Sequence, residues 1–167
     1  MNGTLNPYRD SVTGEVVGTR HDRKLAVHGL LLEECLRLEK EGFKVVLAGD
    51  MNVARAAIDG FPNLRIKPEQ HVINRRDFND KFFDGEDGFR GLDTWRLLHG
   101  SKKGYTYYPR GGTFGASCDR VDMVICSRSL RENVVGAGIF ETPAERGTSD
   151  HVPLYATFRF EKEQERG

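Results

Sequence analysis

From Arg23 to Glu41 the apolar side chains fall at helical spacing. Leu25, Leu31, Leu32, Cys35, Leu36 and Leu38 form one stripe, with Glu33, Glu34, Arg37 and Lys40 between them. That pattern predicts an amphipathic helix, ended by Gly42. The run Phe43-Lys44-Val45-Val46-Leu47-Ala48 is almost continuously apolar and predicts a short central strand covered on both faces. A helix followed closely by a buried strand points to an α/β layered domain. After a polar stretch containing Pro62 and Pro68, a second helix is predicted from about His71 to Phe83, broken by Gly85 and Gly88. LDTWRLL (92–98) reads as one or two helical turns. YTYY (105–108) and RVDMVICS (120–127) read as strands joined by a glycine-rich loop. A last strand pair is predicted around 134–140 and 152–160, the second alternating Val152, Leu154, Ala156 and Phe158 on one face. Residues 1–20 are poor in apolar side chains and predict irregular chain. The charged tail EKEQERG (161–167) predicts a frayed end. One domain over 1–160 is expected.

Composition narrows the class. A chain of 167 residues can build one domain with a real core. Its 38% hydrophobic and 30% charged residues predict a well-solvated surface. Lys plus Arg equals Asp plus Glu at 25 each, so any contact with a polyanion must be local rather than carried by net charge. The three cysteines, Cys35, Cys118 and Cys126, cannot all pair and form no CxxC. This argues for reduced thiols in an intracellular protein and against a structural zinc site. No stretch is apolar enough to span a membrane, and the N-terminus lacks the apolar core of a signal peptide.

Three places set an acidic residue at a strand end or inside an apolar strand. Asp50 and Asn52 follow the run at 43–48, Asp122 sits within Val121-Asp122-Met123-Val124, and Asp150 and His151 precede the last strand. Each alone has an ordinary explanation as a turn or surface residue. Together, at the ends of one sheet, they can converge on the crevice where open α/β sheets bind ligands. Carboxylates with an amide and an imidazole suit divalent-metal phosphate chemistry. Hard oxygens hold the ion, the amide orients a phosphate or water, and an imidazolium offsets charge building on phosphorus.

The four blocks GDMNVA (49–54), DTWRLLHG (93–100), RVDMVICS (120–127) and SDHVPL (149–154) resemble, in order and interval, the endonuclease/exonuclease/phosphatase superfamily. The closest resemblance is to abasic-site endonucleases of the exonuclease III type. It implies half of a four-layer, DNase I-like α/β sandwich, with a mixed, largely antiparallel sheet and flanking helices. It further implies a Mg²⁺- or Mn²⁺-dependent hydrolase acting on DNA phosphodiesters, with abasic duplex as partner, no membrane, and a place in nuclear DNA repair.

Residue by residue, Asp50 matches the aspartate that positions and deprotonates the attacking water. Asn52 matches the asparagine that orients that water or a phosphate oxygen. His151 matches the histidine that hydrogen-bonds the scissile phosphate, and Asp122 the aspartate that aligns this histidine. Asp150 matches a carboxylate beside the metal. Asn2, Arg120 and Tyr107 fall where the family contacts substrate.

Two departures widen the expectation. Cys118-Asp119-Arg120 also resembles the inositol polyphosphate phosphatases of the superfamily, so an inositol or phospholipid phosphatase is the alternative. The family's early metal-binding glutamate has no match here, so the chain resembles the C-terminal half only. Dependence on the other half, or an inactive nucleic-acid-binding fragment, is then expected.

Overall fold

The computed structural model describes residues 5–161, apart from Gly112 and Glu141. Its first element departs from expectation. Residues 1–20 were expected to be irregular, yet Pro7–Arg9 (β1) and Val16–Thr19 (β2) pair as a small antiparallel hairpin. Most of their side chains face water, so no alternating burial marks them in the sequence.

Helix α1 (Arg20–Lys40) begins three residues before the predicted start because Thr19 and Asp22 close a capping box. The Asp22 amide donates to Thr19 Oγ1 at 3.3 Å and the Thr19 amide to Asp22 Oδ2 at 2.8 Å. At the other end Gly42 takes φ +89°. The Gly42 amide donates to the Glu39 carbonyl and the Phe43 amide to that of Leu38, a Schellman ending.

The strand after it, β3 (Val46–Asp50), corrects the expectation of a central strand covered on both faces. In the sheet order β3–β7–β5, with β5 at Leu92–Asp93 and β7 at Asp122–Cys126, β3 is the edge. Val45 and Leu47 turn toward the helices, while Val46 is 46% exposed and Ala48 and Asp50 are also exposed.

The main core lies between this sheet and the helices. Met123 and Ile125 of β7 meet Cys35 of α1 and two fully buried aromatics, Phe78 and Phe82. Phe78 belongs to α2 (Gln70–Asn79), and Phe82 to the π turn (Asp80–Asp84) that continues it. His28 of α1 packs its ring 5.2 Å from Phe78 and hydrogen-bonds Asp77 through Nδ1 at 2.7 Å.

A second core of Cys126, Leu130 and Val134 joins β7 to α3 (Thr94–His99) and to the antiparallel pair β8 (Val134–Ile139) and β9 (Leu154–Phe158). The expected β8–β9 pairing is observed, with half-buried positions alternating along β9. Pro153 lies just before the strand and contributes only its carbonyl, to Phe140. The short strands β4 (Gly60–Phe61) and β6 (Cys118–Asp119) pair across the chain, and α4 (Pro143–Arg146) is a single turn. YTYY is not a strand: Tyr107 forms two isolated bridges, one to Asp119 and one to His151. Among the described residues no helix is long and apolar enough to cross a membrane.

Burial also sets an acid response. It pushes the pKa of His28 down, against the raising influence of Asp77. It does the same to His71, helped by Arg65, Lys24 and Arg75. The unfolded chain therefore takes up protons at these positions at a higher pH than the folded one, and stability falls as pH drops below about 6.5. The urea midpoint should hold steady above about pH 7 and decline toward pH 5.5, with a shallower decline in His28→Gln. An equal slope in that variant would remove His28 from the account.

Candidate active site

β3 and β7 run antiparallel with Asp50 directly opposite Asp122. Facing carboxylates repel one another across a sheet, so this end of the sheet favours a positive partner. The chain brings an imidazole there. The Val152 amide donates to the Thr106 carbonyl at 2.9 Å and the Tyr108 amide to the Asp150 carbonyl at 2.7 Å. These bonds hold 150–152 against 106–108. His151 then places Nδ1 2.9 Å from Asp122 Oδ2. An ionised carboxylate only accepts, so Nδ1 carries the hydrogen and Nε2 is left for a ligand. Asp122 is buried and His151 half-buried. Asp50, Asp122 and His151 can each offer one atom such that all three lie within 4.8 Å of one another.

Asn52 closes the turn beyond β3. It sits at φ +50°, a left-handed conformation that asparagine tolerates better than most residues. Its amide donates to Asp50 Oδ1 at 2.7 Å. This bond leaves the second Asp50 oxygen unused. Lys24 Nζ donates to the Asn52 carbonyl at 2.6 Å. Burial pushes this ammonium down to about 8, with Asp50 acting in the opposite direction.

The other expected site residues separate. The Tyr107 ring lies 5.0 Å from that of His151 and is half-buried, beside the cluster. Asp150 is outside the three-residue cluster, its Oδ1 3.7 Å from Arg110. Asn2 lies outside the described residues.

Arg120 is a correction: it does not reach a substrate surface. Its side chain is 1% exposed and bonds Asp59 at 2.8 Å and Asp93 at 2.7 Å. Burial disfavours the charges of Asp59 and Arg120. Arg120 and Arg96 nevertheless hold the Asp59 carboxyl below its usual range, and Asp93 and Asp59 hold the Arg120 guanidinium above its own.

Sequence reasoning missed three residues that build the site. Thr106, fully buried, accepts the amides of Val121 and Asp122 on its hydroxyl at 3.0 Å each, fixing where Asp122 starts. Lys24 grips the Asn52 turn, and Asp59 anchors Arg120 one residue after β6. The regular placement of Thr106 between aromatics and of Lys24 within a charged helix face carried no signal of these contacts.

The donor set fits a hard divalent cation. The carboxylate oxygens of Asp50 and Asp122 suit Mg²⁺ or Mn²⁺. The same groups can place a water, hold a proton at Nδ1 of His151 and present Nε2 to an anion.

The fold has solved counterparts. The catalytic domain of Xenopus laevis APE2 superposes with a TM-score of 0.69 at 25% identity, over 91% of this chain and 46% of that one. An AP endonuclease from Archaeoglobus fulgidus gives 0.60 at 23% identity, over 84% and 55%. The 3′-phosphatase NExo from Neisseria, bound to a product DNA hairpin, gives 0.60 at 21% identity, over 84% and 53%. The chain thus spans about half the length of these proteins. No protein-family profile matches it, and no curated protein matches it by sequence. Antiparallel sheets with flanking helices give this chain the fold of these AP endonucleases and exonuclease III-like nucleases, consistent with the endonuclease/exonuclease/phosphatase superfamily that its ordered GDMNVA and SDHVPL motifs resemble.

Proposed function

We propose that this chain carries one wall of a metal-dependent DNA phosphodiesterase of the abasic-site endonuclease and 3′-exonuclease type, acting in DNA repair. The observation that carries the reading is the Asp50–Asp122–His151 cluster beside Asn52, at the end of a sheet shared with AP endonucleases. In this reading Asp50 places and deprotonates the attacking water. Asn52 orients it or a phosphate oxygen. His151, held by Asp122, donates from Nε2 to the scissile phosphate. Correct placement of the water contributes much of such a rate, and a base within reach adds roughly 10² to 10⁴-fold. Mg²⁺ or Mn²⁺ would be held by the carboxylate oxygens at this end, with Asp150 to one side. When bound it would supply charge relief at the phosphate oxygens.

The uncovered β3 edge supports a dependence on further protein. Phe43, just before β3, is 59% exposed and Val46 of β3 46% exposed, and among the described residues the outer edge of β3 is unpaired. Apolar side chains on an open sheet edge are what a second sheet would cover. We therefore expect the 167-residue chain alone to be impaired. The pointer to an inositol phosphatase weakens on inspection. Cys118 is 2%, Asp119 5% and Arg120 1% exposed, so this triplet presents little to a head group.

The test compares cleavage of a labelled duplex holding one abasic site with release of phosphate from soluble inositol phosphates, in Mg²⁺ and in chelator. Cleavage of the abasic duplex that needs Mg²⁺ is expected from the full-length parent, and slow cleavage from this chain. Faster turnover of inositol phosphates would overturn the nuclease reading. Full turnover by this chain at ordinary millimolar Mg²⁺ would overturn its dependence on a second half.

A further inference from the structure

Lys24 lies 26 positions before Asp50 and belongs to none of the motifs above. It stands in the second turn of α1, half-buried in a groove of about 360 Å³ that ends on Asp50, Met51 and Asn52. Its ammonium donates to a backbone carbonyl, that of Asn52, at 2.6 Å. The recipient is unusual. Asn52 is one of two described residues other than glycine with positive φ. Left-handed backbone is held only where its surroundings determine it. Two bonds do so here, from opposite sides of the same residue. Asp50 Oδ1 accepts from the Asn52 amide at 2.7 Å and Lys24 Nζ donates to the Asn52 carbonyl. Remove the second and Asn52 keeps the bond to the Asp50 carboxylate, itself part of the cluster, beside the Met51 amide's bond to Val121.

We propose that Lys24 is a positioning residue for the site: its ammonium clamps the Asn52 carbonyl, and so fixes the Asn52 amide side chain and the free oxygen of Asp50 relative to each other. A cation is better suited to this than a neutral donor, because charge-assisted bonds are shorter and stronger. The same ammonium also balances Asp50 at an end of the sheet where two carboxylates face each other. Arg20 and Arg23 line the same groove but bring no bond to the turn among the described residues. The role is therefore assigned to Lys24 alone.

The proposal rests on the nuclease reading for its consequence, but not for its geometry, and the test reads both. In Lys24→Met, hydrogen exchange at the Asn52 amide should quicken at least tenfold and its amide resonances should shift or broaden. Lys24→Arg should retain most of the protection. In the full-length enzyme Lys24→Met should lower kcat by about 10- to 100-fold, as small misplacements of reacting groups do, with KM within threefold. Unchanged exchange at Asn52 in a folded Lys24→Met protein overturns the proposal whatever the activity. Altered exchange with no DNA cleavage even by the wild-type enzyme would leave the clamp standing and remove the nuclease reading. If Lys24→Met does not fold, full protection at Asn52 in Lys24→Ala or Lys24→Gln would overturn the clamp, and lost protection would sustain it.

Discussion

Replacing Arg120 by methionine should lower the unfolding free energy by about 3 to 5 kcal/mol, the usual cost of leaving buried charges without their partner. The fully buried guanidinium lies between two carboxylates that are 1% and 2% exposed as side chains. Removing it leaves Asp59 with Arg96, and Asp93 with Arg55 at 3.5 Å. These remaining partners favour the lower end of the range. Against a whole-domain stability of about 5 to 15 kcal/mol, the loss would show as a large drop in the urea midpoint. Arg37→Met is the control. Its pairs with Glu34 and Glu41 are about half exposed on the surface of α1, and such pairs contribute at most about 1 kcal/mol. Converting Asp59 and Asp93 to asparagine alongside Arg120→Met should recover part of the lost stability. An unchanged midpoint in the single variant would show that these buried pairs contribute little to the fold.

That misplacement shows where the sequence stops being readable. α1, α2, α3 and the β8–β9 pair were legible because each buries one face at a fixed period. β3 was legible as a strand but not as an edge. Its apolar run says how much greasy surface it has, not whether this chain covers it. Asp59 and Asp93 read as ordinary turn acids, since their partner Arg120 is 61 and 27 positions away.

The candidate site was more legible than its supports. Asp50, Asn52, Asp122 and His151 stand at the ends of strands, where their polarity breaks an apolar pattern, and the structure brings all four together. Thr106 and Lys24, which hold them, break no pattern. Their contacts are to backbone atoms 15 and 28 positions away, and backbone atoms leave no trace in a sequence. Asp150 marks the reverse case. It is next to His151 in the chain, yet neighbours in an extended segment point to opposite sides, and its carboxylate lies toward Arg110 instead.

On the proposed nuclease reading, Asp50→Asn should all but abolish cleavage while leaving the fold intact. The substitution keeps the shape of the side chain and an oxygen that can accept the Asn52 amide, so the turn stays closed. It removes the negative charge and the basic oxygen. With no base in reach of the water, the rate should fall by about 10² to 10⁴-fold, and loss of a metal donor would deepen that. Stability should move the other way. Asp50 is exposed and directly opposite Asp122, so neutralising it relieves repulsion worth up to about 1 kcal/mol, and the urea midpoint should hold or rise slightly. This opposition separates a catalytic carboxylate from a structural one, which would lose both. Asp150→Asn, away from the cluster, should cost less activity than Asp50→Asn. Cleavage of an abasic duplex by Asp50→Asn at the wild-type rate would show that another group activates the water.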